Sequence, residues 1–314
     1  MLALPAKHFH RSAKRHNVDL GVCCDWIEAS VLFLNETITA TDIVDVLCEN
    51  EIYRNQSFAW EFVNDVTLNI RERTRLIGES YPIQITSATR FEARDTWPAY
   101  AAYSFCLLLS LASCYPQWSQ SFGQDYTEQG ELFELLTAES VRRSLVGWMV
   151  HPTGWTRTAP RSLGRVVERA ASVLGEATGD LGRWGRQRAK EAGLDLLCFR
   201  PFPDGRVGQP VYLVQCASGA DWTQKRKTPD LDIWTKLIVF SARPRKAFSM
   251  PFALSNDDFR YHTAVVDGLL LDRYRLLFAG QEDREWLASG LVDRLVAWSS
   301  PRVSVLPALV GTLQ

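Results

Sequence analysis

Apolar positions along this chain recur in two different rhythms. Through the first half they fall at three- and four-residue intervals, the spacing of helices packed on one face. Leu20–Leu34 places Trp26, Ile27, Val31 and Leu34 on one side. Thr39-Ala40-Thr41-Asp42 caps a second helix, Ile43–Glu49, and a third runs from Ser57 through Arg73. Tyr81–Thr86 alternates around Ile83 and Ile85 and predicts a strand. Trp97-Pro98 opens an apolar helix, Tyr100–Ser113. Polar Gln117–Gly130 reads as an exposed connection. Glu131–Leu145 then reads as an amphipathic helix that buries Leu132, Phe133, Leu136 and Val141. Its acids, Glu131 and Glu134, read as surface groups, with Glu134, beside Phe133, as the alternative helix acid for a site in the second half. Gly147-Trp148, Pro152 and Gly154-Trp155 break the pattern as a loop or short strand.

From Ser162 onward helical and strand rhythms alternate. Ser162–Gly175 carries a stripe of Leu163, Val166, Val167, Ala170, Val173 and Leu174, with Glu168 beside the stripe. Asp180–Ala192 is basic, with Arg183, Arg186, Arg188 and Lys190 around Trp184. Two short apolar runs follow, Leu194–Phe199 and Val211–Cys216, each bounded by turn residues. Pro203-Asp204-Gly205 between them supplies a turn, so the two runs predict an antiparallel hairpin. Asp195 and Gln215 stand at equal distance from Gly205, which puts them opposite each other on one face in a regular register. A short helix at Ala220–Lys227 sets Trp222 and Lys225 on a shared face. Thr228-Pro229 begins another helix, with Thr as N-cap, on a stripe of Leu231, Trp234, Leu237 and Ile238. Ala247–Phe252 reads as a strand. Asp257–Val266 reads as a helix capped by Gly268, Leu269–Phe278 as a strand, and Glu282–Trp298 as a closing helix. In the Leu269–Phe278 strand Arg273 and Arg275 share a face.

At 314 residues the chain is long enough for two domains. A hydrophobic content of 46% and a formal charge of -1 describe an ordinary globular protein without a basic coat, although local basic patches remain open to it. His8 to His16 is one such patch, read as a solvated arm or a phosphate-contacting one. Seven cysteines occur without a CxxC pair, which predicts neither zinc nor a disulfide framework and fits a reducing cytoplasm. The N-terminal residues lack the apolar core of a signal peptide, and the most apolar run, Ala99–Cys114, reads as a buried helix rather than a membrane span.

The Gly193–Lys227 stretch, with the helices around it, resembles the core of the PD-(D/E)xK nuclease superfamily over roughly Leu163–Leu277. In that family a helix carries an acid, a strand carries Asp, and the next strand carries (D/E)xK. Asp195 matches the strand Asp, and Gln215-Cys216-Ala217 stands where the tripeptide belongs. Gln215 replaces the acid and Ala217 the lysine, so Lys225 or Lys227 is the candidate for a lysine that has moved to the following helix. The resemblance implies an α+β protein: a mostly helical N-terminal domain, residues 1–155, for recognition or scaffolding, then a restriction-endonuclease-like α/β core with a mixed central sheet, residues 156–314. It implies Mg2+ or Mn2+ held by Asp195, the Gln215 side-chain oxygen and the Cys216 backbone carbonyl, with Glu168 in support and Glu176 as a lesser candidate. Hard oxygen ligands of this kind suit Mg2+. Lys225 would polarise a phosphate.

The implied substrate is DNA, with RNA as the alternative. Arg183, Trp184, Arg186, Arg188, Lys227, Arg273 and Arg275 are the expected nucleic-acid contacts, because Arg and Lys pair with phosphates and Trp stacks on bases. A helical part joined to a lone nuclease core also resembles bacterial anti-phage defence or restriction effectors, which work in the cytoplasm, in some cases with a protein partner, and away from membranes. Two other readings stand beside the nuclease. One is an inactive nuclease fold that binds nucleic acid or a partner protein. The other is a structural subunit whose eleven tryptophans serve interfaces.

Overall fold

The computed structural model describes residues 1–5, 9, 18–87, 89–122, 126–153, 162–184 and 193–309. The basic residues of the His8–His16 arm, together with Gly154-Trp155, Arg186, Arg188 and Lys190, lie outside the described residues. The chain forms two compact units, Met1–Gln124 with Gly280–Gln314, and Asp125–Ala279. The boundary expected at 155/156 therefore falls inside the second unit. The physical reason is pairing: the helix and strand that precede residue 155 pack on and join the central sheet.

The first unit is helical. Helix α1 (Leu20–Leu34) starts where Asp19 accepts a hydrogen bond from the Val22 amide, and ends at Asn35 in the left-handed conformation. A short strand β1 (Ile38–Thr39) leads into α2 (Ala40–Glu49), which begins with a reciprocal Thr39–Asp42 capping box. Helix α3 (Gln56–Ile77) follows. Strands β2 (Ile83–Thr86) and β3 (Arg90–Ala93) pair antiparallel, and β1 joins the far side of β3. Helix α4 (Ala101–Cys114) is apolar all round and buried. The stretch Trp97–Cys114 is long and apolar enough to cross a bilayer by length and composition, yet 72% of it is buried within the fold, the place of a core helix. The expected connection after it instead opens with a short helix α5 (Pro116–Gln120), because Trp118 is drawn into the core and its indole donates to the Arg302 carbonyl.

The second unit is built on a mixed five-stranded sheet, which bears out the expected α+β class. Helix α6 (Thr127–Ser144) leads to β4 (Met149–Pro152), α7 (Leu163–Leu174), β5 (Ala177–Thr178) and α8 (Leu181–Trp184). The hairpin β6 (Leu196–Phe199) and β7 (Val211–Cys216) comes next, then α9 (Leu231–Leu237), β8 (Ile238–Val239), β9 (Arg245–Ser249), α10 (Asn256–Val266), β10 (Gly268–Leu271) and α11 (Arg273–Leu277). The sheet order is β10-β9-β7-β6-β4. Strands β4, β6 and β7 pair antiparallel in sequence, whereas β9 and β10 add in parallel, each reached through a helical crossover. The two-residue period sorts the sheet faces. Leu197, Phe199, Val211 and Leu213 pack with the buried stripe of α7 and with Trp234 and Leu237 of α9. The Cys216–Ser249 face meets α6, where Thr137 Oγ1 lies 2.9 Å from Ser249 Oγ.

Three local expectations change. Helix α9 is capped by Asp230, whose carboxylate accepts from the Asp232 and Ile233 amides, so Thr228 is released from capping. Helix α10 ends on Asp267 at φ 52, and Gly268 is the first residue of β10, where a Cβ would strike the Lys246 backbone. The expected strand Leu269–Phe278 breaks at Asp272, which accepts from the Arg275 amide and caps α11. Local capping wins there over an alternating pattern. The chain then returns to the first unit, where α12 (Ser289–Ser304) packs against α4.

Candidate active site

The hairpin turn is tight at Gly205, φ 63, and its register carries Leu196 opposite Val214. One step further, Asp195 meets Gln215. Asp195 Oδ2 accepts from Gln215 Nε2 at 2.5 Å and from the Cys216 amide at 2.6 Å. The Asp195 backbone is fixed as well: its amide donates to the Val214 carbonyl and its carbonyl accepts from the Thr153 amide. The acid is thus pinned where three strands end, beside the β7 terminus.

Burial pushes the Asp195 carboxyl up to about 6, against the Cys216 amide and the charge of Lys225, which hold it down. Glu134, half-buried on α6, is pushed up to about 9 by burial first, then by the charges of Asp195 and Glu131. Burial, Asp195 and Glu134 together raise the Cys216 thiol well above its ordinary value, and a hydrogen bond with Thr137 acts the other way. The charge of Asp195 thus acts on Glu134, and both charges act on the Cys216 thiol. Glu134, Thr137 and Ser140 recur three apart on α6 and form a polar stripe on its sheet-facing side, where Ser140 donates to the Leu276 carbonyl.

The structure brings Asp195, Gln215 and Cys216 together but not Glu168. Glu168 is exposed on α7, whose buried stripe takes Val166, Val167, Ala170 and Ala171. The helix acid on which the Asp195 charge acts is Glu134, the alternative to Glu168 in the sequence. Glu176 is engaged elsewhere, accepting from Gly208 and Ser241.

Trp222 is buried against Phe248, Phe252 and His262, and this anchors a short 3-10 turn, Trp222–Lys225. Lys225 is exposed, 3.6 Å from Asp221, and its charge acts on Asp195 without direct contact. Lys227 is exposed; buried Lys246 is lowered by desolvation first, with the charge of Lys227 acting in the same direction.

The expected nucleic-acid contacts divide. Arg183 is exposed, with its guanidinium over the Trp184 ring at 5.1 Å. Trp184 packs on the core cluster of α7 and α9, and Lys236 Nζ lies 4.3 Å from its ring centre, so its face is already occupied. Arg273 is fully buried, and its Nε donates to the Pro251 carbonyl. Arg275 donates to the Leu270 carbonyl and lies over Phe259. Arg273 therefore takes a structural place rather than the expected phosphate contact, because the helical turn directs it inward.

Among the described residues no group of three or more His, Cys, Asp and Glu side chains is arranged to hold a metal ion. The donors present are two carboxylates, an amide and a backbone carbonyl. The carboxylates and the carbonyl offer hard oxygens; Gln215 instead turns its nitrogen to Asp195 and its oxygen to Thr228, so the expected Gln215 oxygen ligand is not aimed at the site. This set fits Mg2+, which is held by one or two carboxylates and keeps several waters. No protein-family model, no curated protein and no solved structure matches the chain.

Proposed function

We propose that this protein is a Mg2+-dependent phosphodiesterase of the PD-(D/E)xK type, acting on DNA. One observation carries the reading. Asp195 is clamped to Gln215 and Cys216 of the neighbouring strand, and its charge acts on Glu134 of the helix that precedes the sheet. The order of the main sheet's strands and its long helices, α6, β4, α7, β6, β7, α9, β9, with antiparallel strands followed by a parallel one, supports the same likeness. Asp195, Glu134 and the Cys216 carbonyl would hold Mg2+, which when bound supplies Lewis-acid activation of water and phosphate. Lys225, exposed beside the site, would stabilise charge on the scissile phosphate, and Arg183 would contact the backbone. The seven cysteines, all unbridged, support a cytoplasmic setting; a place in phage defence or restriction rests on the family resemblance alone.

A second reading is an inactive nuclease fold that binds nucleic acid or a partner protein. It is favoured by the neutral Gln215, by Ala217 at the lysine position, and by Lys225 pairing with Asp221 rather than Asp195. Incubation of supercoiled and linear DNA, and of RNA, with Mg2+ or Mn2+ separates the two. Cleavage lost in Asp195→Ala supports the nuclease. Salt-sensitive binding without cleavage supports the second reading, and cleavage unchanged in Asp195→Ala removes Asp195 from the reaction.

A further inference from the structure

Gln215 is held at its two ends by partners of different kinds. Its Nε2 donates to Asp195 Oδ2 at 2.5 Å and lies 3.3 Å from the Cys216 carbonyl. Its Oε1 lies 3.0 Å from Thr228 Oγ1, and the same hydroxyl lies 2.6 Å from the Lys225 carbonyl. An ionised Asp195 only accepts hydrogen bonds, so it selects the nitrogen end of the amide. Thr228 both donates and accepts, and the Lys225 carbonyl gives its proton a second destination. Gly193 walls the amide in: a Cβ there would lie 2.7 Å from Gln215 Oε1 and 2.6 Å from Thr228 Cβ. Confined in this way, the amide keeps one soft motion, a half-turn about its terminal torsion that exchanges oxygen and nitrogen.

Resting on the cation-binding reading above, we propose that Thr228 is the positioning residue of a two-way amide. Without a cation, Gln215 turns nitrogen to Asp195 and latches the acid. With Mg2+ at Asp195, Gln215 turns its oxygen to that side, Nε2 donates to Thr228 Oγ1, and the Thr228 hydroxyl donates its hydrogen bond to the Lys225 carbonyl alone. The Thr228 end is satisfied in both states. A glutamate at this position has no such switch, since both of its oxygens accept. Gln in place of the family acid thus gives a site that is closed by a hydrogen bond until the cation arrives.

The hydroxyl influences cation affinity only if the amide turns. With a fixed amide, or with a glutamate in its place, Thr228 donates to the same oxygen before and after binding, and its loss cancels. With a turning amide, removal of the hydroxyl leaves a buried, polarised N–H without an acceptor in the loaded state, the costlier of the two defects. Calorimetric Mg2+ titration of the full chain tests this in the wild type, Thr228→Val, Thr228→Ser, Gln215→Glu and the double variant that joins Gln215→Glu with Thr228→Val. The expected result is affinity weakened about three- to tenfold in Thr228→Val, restored in Thr228→Ser, and unchanged by Thr228→Val beside Gln215→Glu. Equal affinity of Thr228→Val and wild type, or equal weakening in both backgrounds, overturns the switch.

Should Thr228→Val fail to fold, nitrogen NMR of the wild-type side chains decides. Mg2+ is expected to shift the Gln215 side-chain NH2 signal. A fixed NH2 signal while the Cys216 amide moves overturns the switch. Mg2+ binding seen only in Gln215→Glu overturns the switch and leaves the cation site standing; no binding in either protein overturns the cation reading itself.

Discussion

The charge of Asp195, just before strand β6, acts on Glu134, on helix α6, at one end of the sheet. Burial first, and the Asp195 carboxylate second, lift Glu134 from its ordinary 4.5 to about 9. Folded Glu134 therefore holds a proton over a pH range in which the unfolded chain has lost it. For a raised acid, stability is fully present below the unfolded value and falls as pH rises toward the folded one. Urea unfolding of the metal-free protein is expected to show stability decreasing between pH 4.5 and about 9, and Glu134→Gln to flatten that slope. Asp195 adds a slope of the same sign at lower pH, up to about 6. A pH-independent midpoint in the wild type contradicts this account of Glu134.

The same proton links cation binding to pH. A carboxylate that ligates must first be deprotonated. Mg2+ binding at neutral pH is therefore expected to release about one proton, read from calorimetry in buffers of different ionisation enthalpy. Affinity is expected to rise with pH and to lose most of that dependence in Glu134→Gln.

Two glutamates on two helices offer a direct contrast. The charge of Asp195 acts on Glu134, and Glu168 is exposed on α7. Glu134→Gln is expected to lower Mg2+-dependent cleavage by about 10²-fold, the scale of losing one electrostatic group from a reacting centre. Glu168→Gln is expected to leave the rate within about twofold, as for a surface change away from the site. The reverse ranking would return the role to α7.

How far these positions were legible follows from what each depends on. Asp195 facing Gln215 depends on a local turn and strict alternation, both written in the residues from Gly193 to Cys216. Glu134 depends on which helix crosses that sheet, a tertiary choice that the amphipathic pattern of α6 leaves undecided. Thr228 looked like a helix cap until Asp230 took the cap and freed its hydroxyl for Gln215. Arg273 and Arg275 alternate with apolar residues as a strand would, and only the Asp272 cap turns them into a helix. Turns and periods are sequence properties; competition between caps, and between helices for one sheet face, is settled by packing.

Arg273 and Arg183 are expected to part company in DNA binding. Arg183 is exposed, so Arg183→Gln should weaken binding and reduce the salt slope by about one. Arg273 is fully buried and donates to the Pro251 carbonyl. Arg273→Ala should instead lower the melting temperature by roughly 5–10 °C, from the cavity and the lost hydrogen bond. Normal stability with impaired DNA binding in Arg273→Ala would mean that the residue reaches the surface.

The helical unit holds its own buried ionic knot. Arg73, 1% exposed, places Nη1 2.6 Å from Asp25 Oδ1 and 2.9 Å from Glu28 Oε2. Tyr81 and Tyr103 donate to the two Glu28 oxygens, and Ser110 donates to Asp25. This joins α1, α3 and α4 through hydrogen-bonded charges rather than through apolar contact alone. Breaking a buried pair by removing one partner costs about 3–5 kcal/mol, because the remaining charge keeps its desolvation penalty. Arg73→Met should therefore destabilise strongly. Pairing it with Asp25→Asn and Glu28→Gln should recover much of the loss, since the uncompensated charges are then gone. Chemical denaturation of the single and triple variants checks this: a triple variant no more stable than Arg73→Met would show that the knot acts through shape and hydrogen bonding, and not through charge balance.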